Sequence, residues 1–133
     1  MAAPKNWVNK HKGVATLSVA NANRDGTGTV VTVFTATATN TRTFRANIVA
    51  PGPVTEGFIH AYTHDGTNFT FLADRAVRAT NIAVGVAGQR APVLPWNDVW
   101  RLEVWLPTTS DSIRMATEIG ETFKITLEAE SYA

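Results

Sequence analysis

The chain contains no cysteine. A disulfide framework, a thiolate nucleophile and cysteine-ligated zinc or iron–sulfur centres are therefore excluded, and the fold must hold by packing or by assembly. Neither sign of charge dominates: 12 Lys and Arg face 11 Asp and Glu, too even a balance for a protein that neutralises phosphates over an extended surface. Direct nucleic-acid binding is not expected. No apolar run approaches the ~20 residues needed to cross a bilayer, so no membrane partner is expected either. The opening stretch Met1–Val8 lacks the charged segment, apolar run and small-residue cleavage site of a signal peptide, which reads as a soluble protein made in the cytoplasm. At 133 residues, 44% hydrophobic and 17% charged, there is room for one domain with one core.

Residues that could carry chemistry are few and poorly placed. His60 and His64 are four apart on an expected strand, on one face but about 13 Å apart when extended, so they cannot share one ion without a sharp bend. His11 lies near the N-terminus. Ser18, Ser110, Ser112 and Ser131 occur without a Gly-x-Ser-x-Gly elbow. Glu118 and Glu121 flank Ile119-Gly120 in an expected hairpin turn, the best spacing for a carboxylate pair, but no cleft is indicated around them. Asp25-Gly-Thr-Gly28 precedes a strand pattern, whereas a phosphate cradle of that kind needs a helix N-terminus. The sequence implies no metal, no cofactor and no enzyme.

Threonine, at 19 residues, and valine favour pleated, half-buried surfaces over helices. Alternation is clearest at the C-terminus, where Phe123, Ile125, Leu127 and Ala129 fall on one face and Thr122, Lys124, Thr126, Glu128 and Glu130 on the other. Thr29–Ala36 is apolar on both phases and reads as a central strand covered on both sides. Further strands are expected at Val14–Ala20, Thr43–Val49, Gly57–Thr63, Phe69–Ala73, Asn81–Val86, Val99–Leu106 and Ser112–Thr117, bounded by Gly, Pro, Asn and Asp. Phe58–Leu72 reads as a hairpin turning at His64–Asn68, with Gly66 free to take positive φ. Loops are expected at Asn21–Gly28, Ala50–Thr55 and Gly88–Asp98, the last excluded from a sheet centre by Pro92 and Pro95. About nine short, mainly antiparallel strands and no helix predict an all-β fold, a β-sandwich of jelly-roll-like pattern.

Charge is unevenly distributed. From Met1 to Thr55 the single acid is Asp25, against Lys5, Lys10, Lys12, Arg24, Arg42 and Arg45, whereas Glu118, Glu121, Glu128 and Glu130 crowd the C-terminal stretch. Residues 1–12 therefore read as a basic arm ahead of a single domain at 13–133. The bland reading of that asymmetry is solvated strand faces and a loose terminus; the sharper one is an arm that docks on an acidic partner or neighbouring subunit. Four tryptophans, Trp7, Trp96, Trp100 and Trp105, fit an interface, a core or a ligand platform. Trp100 and Trp105 have opposite strand parity, so at most one faces the core of its own sheet.

Asp25-Gly-Thr-Gly28 leading into Val30–Ala36, then Gly57–His60 and His64-Asp-Gly-Thr-Asn68, then Ser112–Thr117 and Glu121–Ile125, form an ordered set. In that order they resemble small β-rich proteins encoded among the virion genes of tailed bacteriophages and prophages, over most of the chain from about Gly13 onward. Size and pattern look most like head decoration (cement) proteins. The resemblance implies a non-enzymatic homotrimer on the outer capsid surface, reinforcing capsomer junctions, with the major capsid protein as partner. It transfers no binding residues. The residues themselves suggest Lys5, Trp7, Lys10 and Lys12 as a capsid-contacting arm, and Arg101, Glu103 and Trp105, sharing one strand face, with Arg114 and Glu118 as an intersubunit surface. The alternatives are a tail, baseplate or head-fibre module with carbohydrate- or receptor-binding loops, and a bacterial lectin-like module.

Overall fold

The computed structural model describes residues 7–51, 54–77 and 96–132. Nine strands follow one another: β1 (Trp7–Leu17), β2 (Val31–Thr35), β3 (Thr41–Ala50), β4 (Gly57–His64), β5 (Phe69–Val77), β6 (Trp96–Trp100), β7 (Val104–Leu106), β8 (Ser112–Thr117) and β9 (Phe123–Tyr132). They form two sheets. One runs β1-β9-β3-β6, with β7 continuing alongside β3; the other runs β2-β8-β4-β5. Among the described residues there is no helix.

The pairing is nested: β1 with β9, β2 with β8, β3 with β6 and β7, and β4 with β5, all antiparallel. Lateral pairs β3–β9 and β4–β8 then join these ribbons into two sheets. A long hairpin rolled upon itself in this way is a jelly roll. Its core lies between the sheets, where Phe123, Ile125 and Leu127 of β9 meet Ile59 of β4 and Ile113 and Met115 of β8, all fully buried. Burying each such side chain stabilises the fold by about 1.5–3 kcal/mol, so β9, flanked on both sides, anchors its sheet.

The C-terminal alternation and the Phe58–Leu72 hairpin appear as read. His64 pairs with Phe69, and Gly66 turns the chain at φ 98°. Ser112–Thr117 is a strand with the expected bounds.

Four expectations change. Thr29–Ala36 supplies β2, an edge strand rather than a central one. Both its phases are apolar because the register against β8 shifts between Thr32 and Phe34, which buries the neighbours Val33 and Phe34 together. Trp96–Asp98, read as loop, belong to β6, which begins directly after Pro95. Val99–Leu106 is two strands, yet its alternation survives the break: Trp100, Leu102 and Leu106 are buried while Val99, Arg101, Glu103 and Trp105 are exposed. Glu118–Glu121 is not a hairpin turn but the crossing from one sheet to the other, since β8 and β9 lie in different sheets. The strand read at Asn81–Val86 lies outside the described residues. The boundary drawn at residue 12 falls inside β1, whose Trp7–Lys12 backbone is already strand.

Candidate interaction surface

The outer face of the β1-β9-β3 sheet carries a charge ladder. Register sets Lys10 opposite Glu130 and Lys12 opposite Glu128, while from the other side Arg42 faces Glu130 and Arg45 faces Glu128. Arg42 Nη2 lies 3.4 Å from Glu130 Oε2, and Arg45 Nε donates to Glu128 Oε2. The Arg45 hydrogen bond, helped by the charges of Arg45, Lys12 and Lys10, holds the Glu128 carboxyl below its usual range. The basic N-terminal stretch and the acidic C-terminal one thus meet in one sheet. Lys10 and Lys12, expected in an arm that reaches outward, are rungs of β1; Trp7 opens that strand opposite Tyr132, and Lys5 lies outside the described residues.

Beside the ladder the same face exposes apolar area. Val14 is 67% exposed, Val99 54% and Trp105 62%. Trp105 borders a groove of about 430 Å³ with Arg42, Phe44 and Glu103; two more grooves, of about 380 and 400 Å³, run along the ladder past Arg45 and Glu128. Trp100, of opposite parity, is buried at 7% exposure, so the two tryptophans divide between core and surface.

The five residues suggested as one intersubunit surface do not come together. Arg101, Glu103 and Trp105 lie on the β6–β7 edge of the five-stranded sheet. Arg114 is on β8 in the opposite sheet, 5.4 Å above the Phe69 ring, and Glu118 follows β8 in an ion-pair cluster.

That cluster lies beneath a strap, Ser18–Val30, which crosses the outer face of the four-stranded sheet. Its Arg24 bonds Asp74 at 3.2 Å and lies 3.8 Å from Glu118. Tyr62 donates its hydroxyl to the Asn23 carbonyl at 2.8 Å, and the Gly26 backbone rests on the Phe69 ring. His60 is fully buried below: Nδ1 pairs with Asp74 Oδ1, and Nε2 faces Glu118 Oε2 at 3.8 Å without a hydrogen-bond partner. Among the described residues no serine or threonine hydroxyl is hydrogen-bonded to His60 Nε2. Glu121 is engaged elsewhere, accepting from the Thr55 amide and hydroxyl. Among the described residues no three His, Asp or Glu side chains converge as a metal site.

The two sides of the sandwich are oppositely charged. Where side chains are described, the five-stranded sheet and its β6–β7 link hold Lys10, Lys12, Arg42, Arg45, Arg101 and Lys124 against Glu103, Glu128 and Glu130. The four-stranded sheet with the strap and turns holds Arg24, Arg75 and Arg114 against Asp25, Glu56, Asp65, Asp74, Asp111, Glu118 and Glu121. Alternation alone places His60 toward solvent. The clue to its burial is that both phases of β4 lack a formally charged Lys, Arg, Asp or Glu, from Gly57 through Tyr62.

These carboxylates also set the acid response. The Asp25 carboxyl is lowered by hydrogen bonds from Thr27, that of Asp65 by the amides of Asn68 and Thr67, and that of Glu128 by Arg45. A carboxyl lowered in the folded state stabilises it above the unfolded value and loses that contribution as pH falls through the folded value. The melting temperature is therefore expected to hold from neutrality to about pH 5 and to fall below about pH 4. Calorimetry across this range checks it; a melting temperature flat or rising toward pH 3 contradicts the assignment.

No protein-family model matches the chain, and no curated protein matches it in sequence.

Proposed function

We propose that this chain is a non-enzymatic structural protein of a tailed-bacteriophage virion, a capsid decoration protein. In this reading it binds the outer head surface as a homotrimer, and its partner is the major capsid protein, whose capsomer junctions it stabilises. The observation that carries the reading is the outer face of the five-stranded sheet, where Val14, Val99 and Trp105 stand exposed among charged side chains. Exposed apolar groups rimmed by charge are the composition of an association surface. The jelly roll is an architecture of viral capsid proteins and of lectins, so it supports the reading without deciding it. Multivalent attachment suits a small domain, because several weak contacts per oligomer add in avidity.

The test is co-sedimentation with DNA-free heads of a tailed phage whose genome encodes the chain. Saturable binding is expected, together with a rise in the temperature at which the heads break. Lys10→Glu combined with Lys12→Glu is expected to weaken binding about tenfold or more at low salt, the loss of ~1.4 kcal/mol or more of steering and contact. Removal of residues 1–6 leaves β1 whole and tests Lys5 separately, whereas a cut at Gly13 would delete half of a paired strand. No binding to heads, combined with binding to host-surface glycans, would place the chain in a tail, baseplate or fibre instead.

A further inference from the structure

We propose that the outer edge of β1 takes up an extended acidic segment of a partner protein as one further antiparallel strand, selected by Lys10, Lys12 and Val14. In the virion role proposed above, on which the inference rests for the source of that strand, the partner is the major capsid protein. Register sets the outer face of the sheet in rows across the strands. One row is Arg42 on β3, Glu130 on β9 and Lys10 on β1; the next is Arg45, Glu128 and Lys12; the third is Asn47, Thr126 and Val14. Charge in the first two rows alternates plus, minus, plus, and there the sheet stops, because β1 is its edge strand and pairs with β9 alone among the described strands. One column more would set carboxylates beside Lys10 and Lys12, where opposite charges across a strand pair attract and like charges repel. β2 does not fill that place, since it packs in the other sheet against Gly13.

Val14 extends the pattern. At 67% it is more exposed than Trp105, so the third row ends on an apolar group in water. A strand with an apolar residue opposite Val14 covers it and brings its residues two and four positions further on to Lys12 and Lys10, because side chains on one face recur at every second residue. In the antiparallel direction the segment reads apolar-x-acidic-x-acidic. A second copy of this chain cannot supply it from an edge strand. β1, β2 and β7 contain no acid, and β5 and β6 contain one each, Asp74 and Asp98. Lysines on an edge strand discourage pairing in general. Here they also choose the partner, since a strand that brings carboxylates to them lifts that penalty while its main chain supplies the hydrogen bonds. Single strands held in this way bind weakly, and multivalent attachment adds them.

Capped nine-residue peptides provide the test. One is threonine throughout except for valine at its third position and glutamate at its fifth and seventh; in a shuffled peptide the two glutamates are adjacent, so that one points to the wrong face. Each is titrated into the whole chain, and the backbone amide resonances are followed by NMR. The matched peptide is expected to shift the amides of residues 10–14 with a Kd of the order of 1 mM, about tenfold tighter than the shuffled one at low salt and less so as salt rises. N-methylation of alternate peptide residues is expected to abolish binding in one phase and spare it in the other, because only one phase points its N–H groups at β1. Lys10→Gln with Lys12→Gln, which sets no like charge opposite Glu130 and Glu128, is expected to bind matched and shuffled peptides alike. Equal binding of the two peptides by wild type, shifts confined to other strands, N-methylation without effect in either phase, or no shift at peptide concentrations of the order of 10 mM overturns the proposal. Head binding is read apart. Heads that bind wild type and the glutamine variant equally overturn the capsid as source of the strand and leave the virion role standing, while uptake of the matched peptide without head binding keeps the strand site and overturns the virion role.

Discussion

Gly13→Val is expected to leave the chain unfolded or insoluble, and Gly13→Ala to lower the melting temperature by more than about 10 °C. Gly13 sits in β1, packed directly against β2 of the other sheet. A Cβ there would lie 2.2 Å from the Val33 carbonyl oxygen, 2.8 Å from Phe34 Cβ and 3.1 Å from Phe34 Cα. Two of these three are β2 backbone atoms, which cannot rotate aside, so the strands themselves must separate. Overpacking a core ordinarily costs about 1–3 kcal/mol, and a collision with backbone lies at or above the top of that range. Against a total stability of about 5–15 kcal/mol, the valine is the variant expected to exceed the reserve. Gly120→Ala is the control, since the nearest atom to its Cβ would be 3.8 Å away. Thermal melts of the three variants decide the matter: a Gly13→Ala protein melting within about 2 °C of wild type would mean that β1 and β2 are not packed at this distance.

The collision also illustrates what the sequence makes legible and what it hides. Local signals survive: alternation along Phe123–Ala129, the Asp-Gly turn at residues 65 and 66, and the polarity of Val99–Trp105 each describe one strand or one hairpin. Partners are not local. β1 pairs with β9 across most of the chain, and nothing in the alternation of either says that Lys12 will face Glu128. The opposed charge of the two termini was visible, yet its meaning depends on register. Once β9 lies between β1 and β3, the basic and acidic stretches complete a ladder within one sheet, where the sequence alone suggested an arm reaching out. Double-phase apolarity has two causes here. In β2 it marks a bulge at an edge strand, and in β4 it marks an outer face covered by the strap. A strap of Asn, Asp and Gly gives no hydrophobic signal of its own, so the burial of His60 and Tyr62 is recorded only on the strand beneath.

Asn21→Asp is expected to detach that strap and to cost more than Asn21→Ala, although aspartate is the closer match in shape. Asn21 is buried at 6% exposure, and its side-chain nitrogen donates to the carbonyls of both Thr27 and Thr29 at 2.9 Å. Its side-chain oxygen accepts the Asn23 amide at 3.0 Å, while its own backbone amide is fixed to the Thr117 carbonyl at 2.7 Å. One residue therefore closes the loop upon itself and ties it to β8. Gly28 completes the fit: at φ 79° it brings its backbone against the Asn21 amide, where a Cβ would lie 2.8 Å away. Alanine removes three hydrogen bonds at about 1 kcal/mol each, so a loss of roughly 2–4 kcal/mol is expected. Aspartate keeps the acceptor but turns the donor into a second acceptor, and a carboxylate then faces two carbonyl oxygens in a nearly dry site. Tyr62→Phe, which removes only the bond to the Asn23 carbonyl, is expected to cost about 1 kcal/mol and to leave the strap in place. Denaturation midpoints give the order, and amide exchange along β4 gives the location: protection should fall at His60 and Tyr62 in the Asn21 variants and stay near wild type in Tyr62→Phe. Aspartate and alanine variants of equal stability would mean that the two carbonyl bonds do not hold the loop.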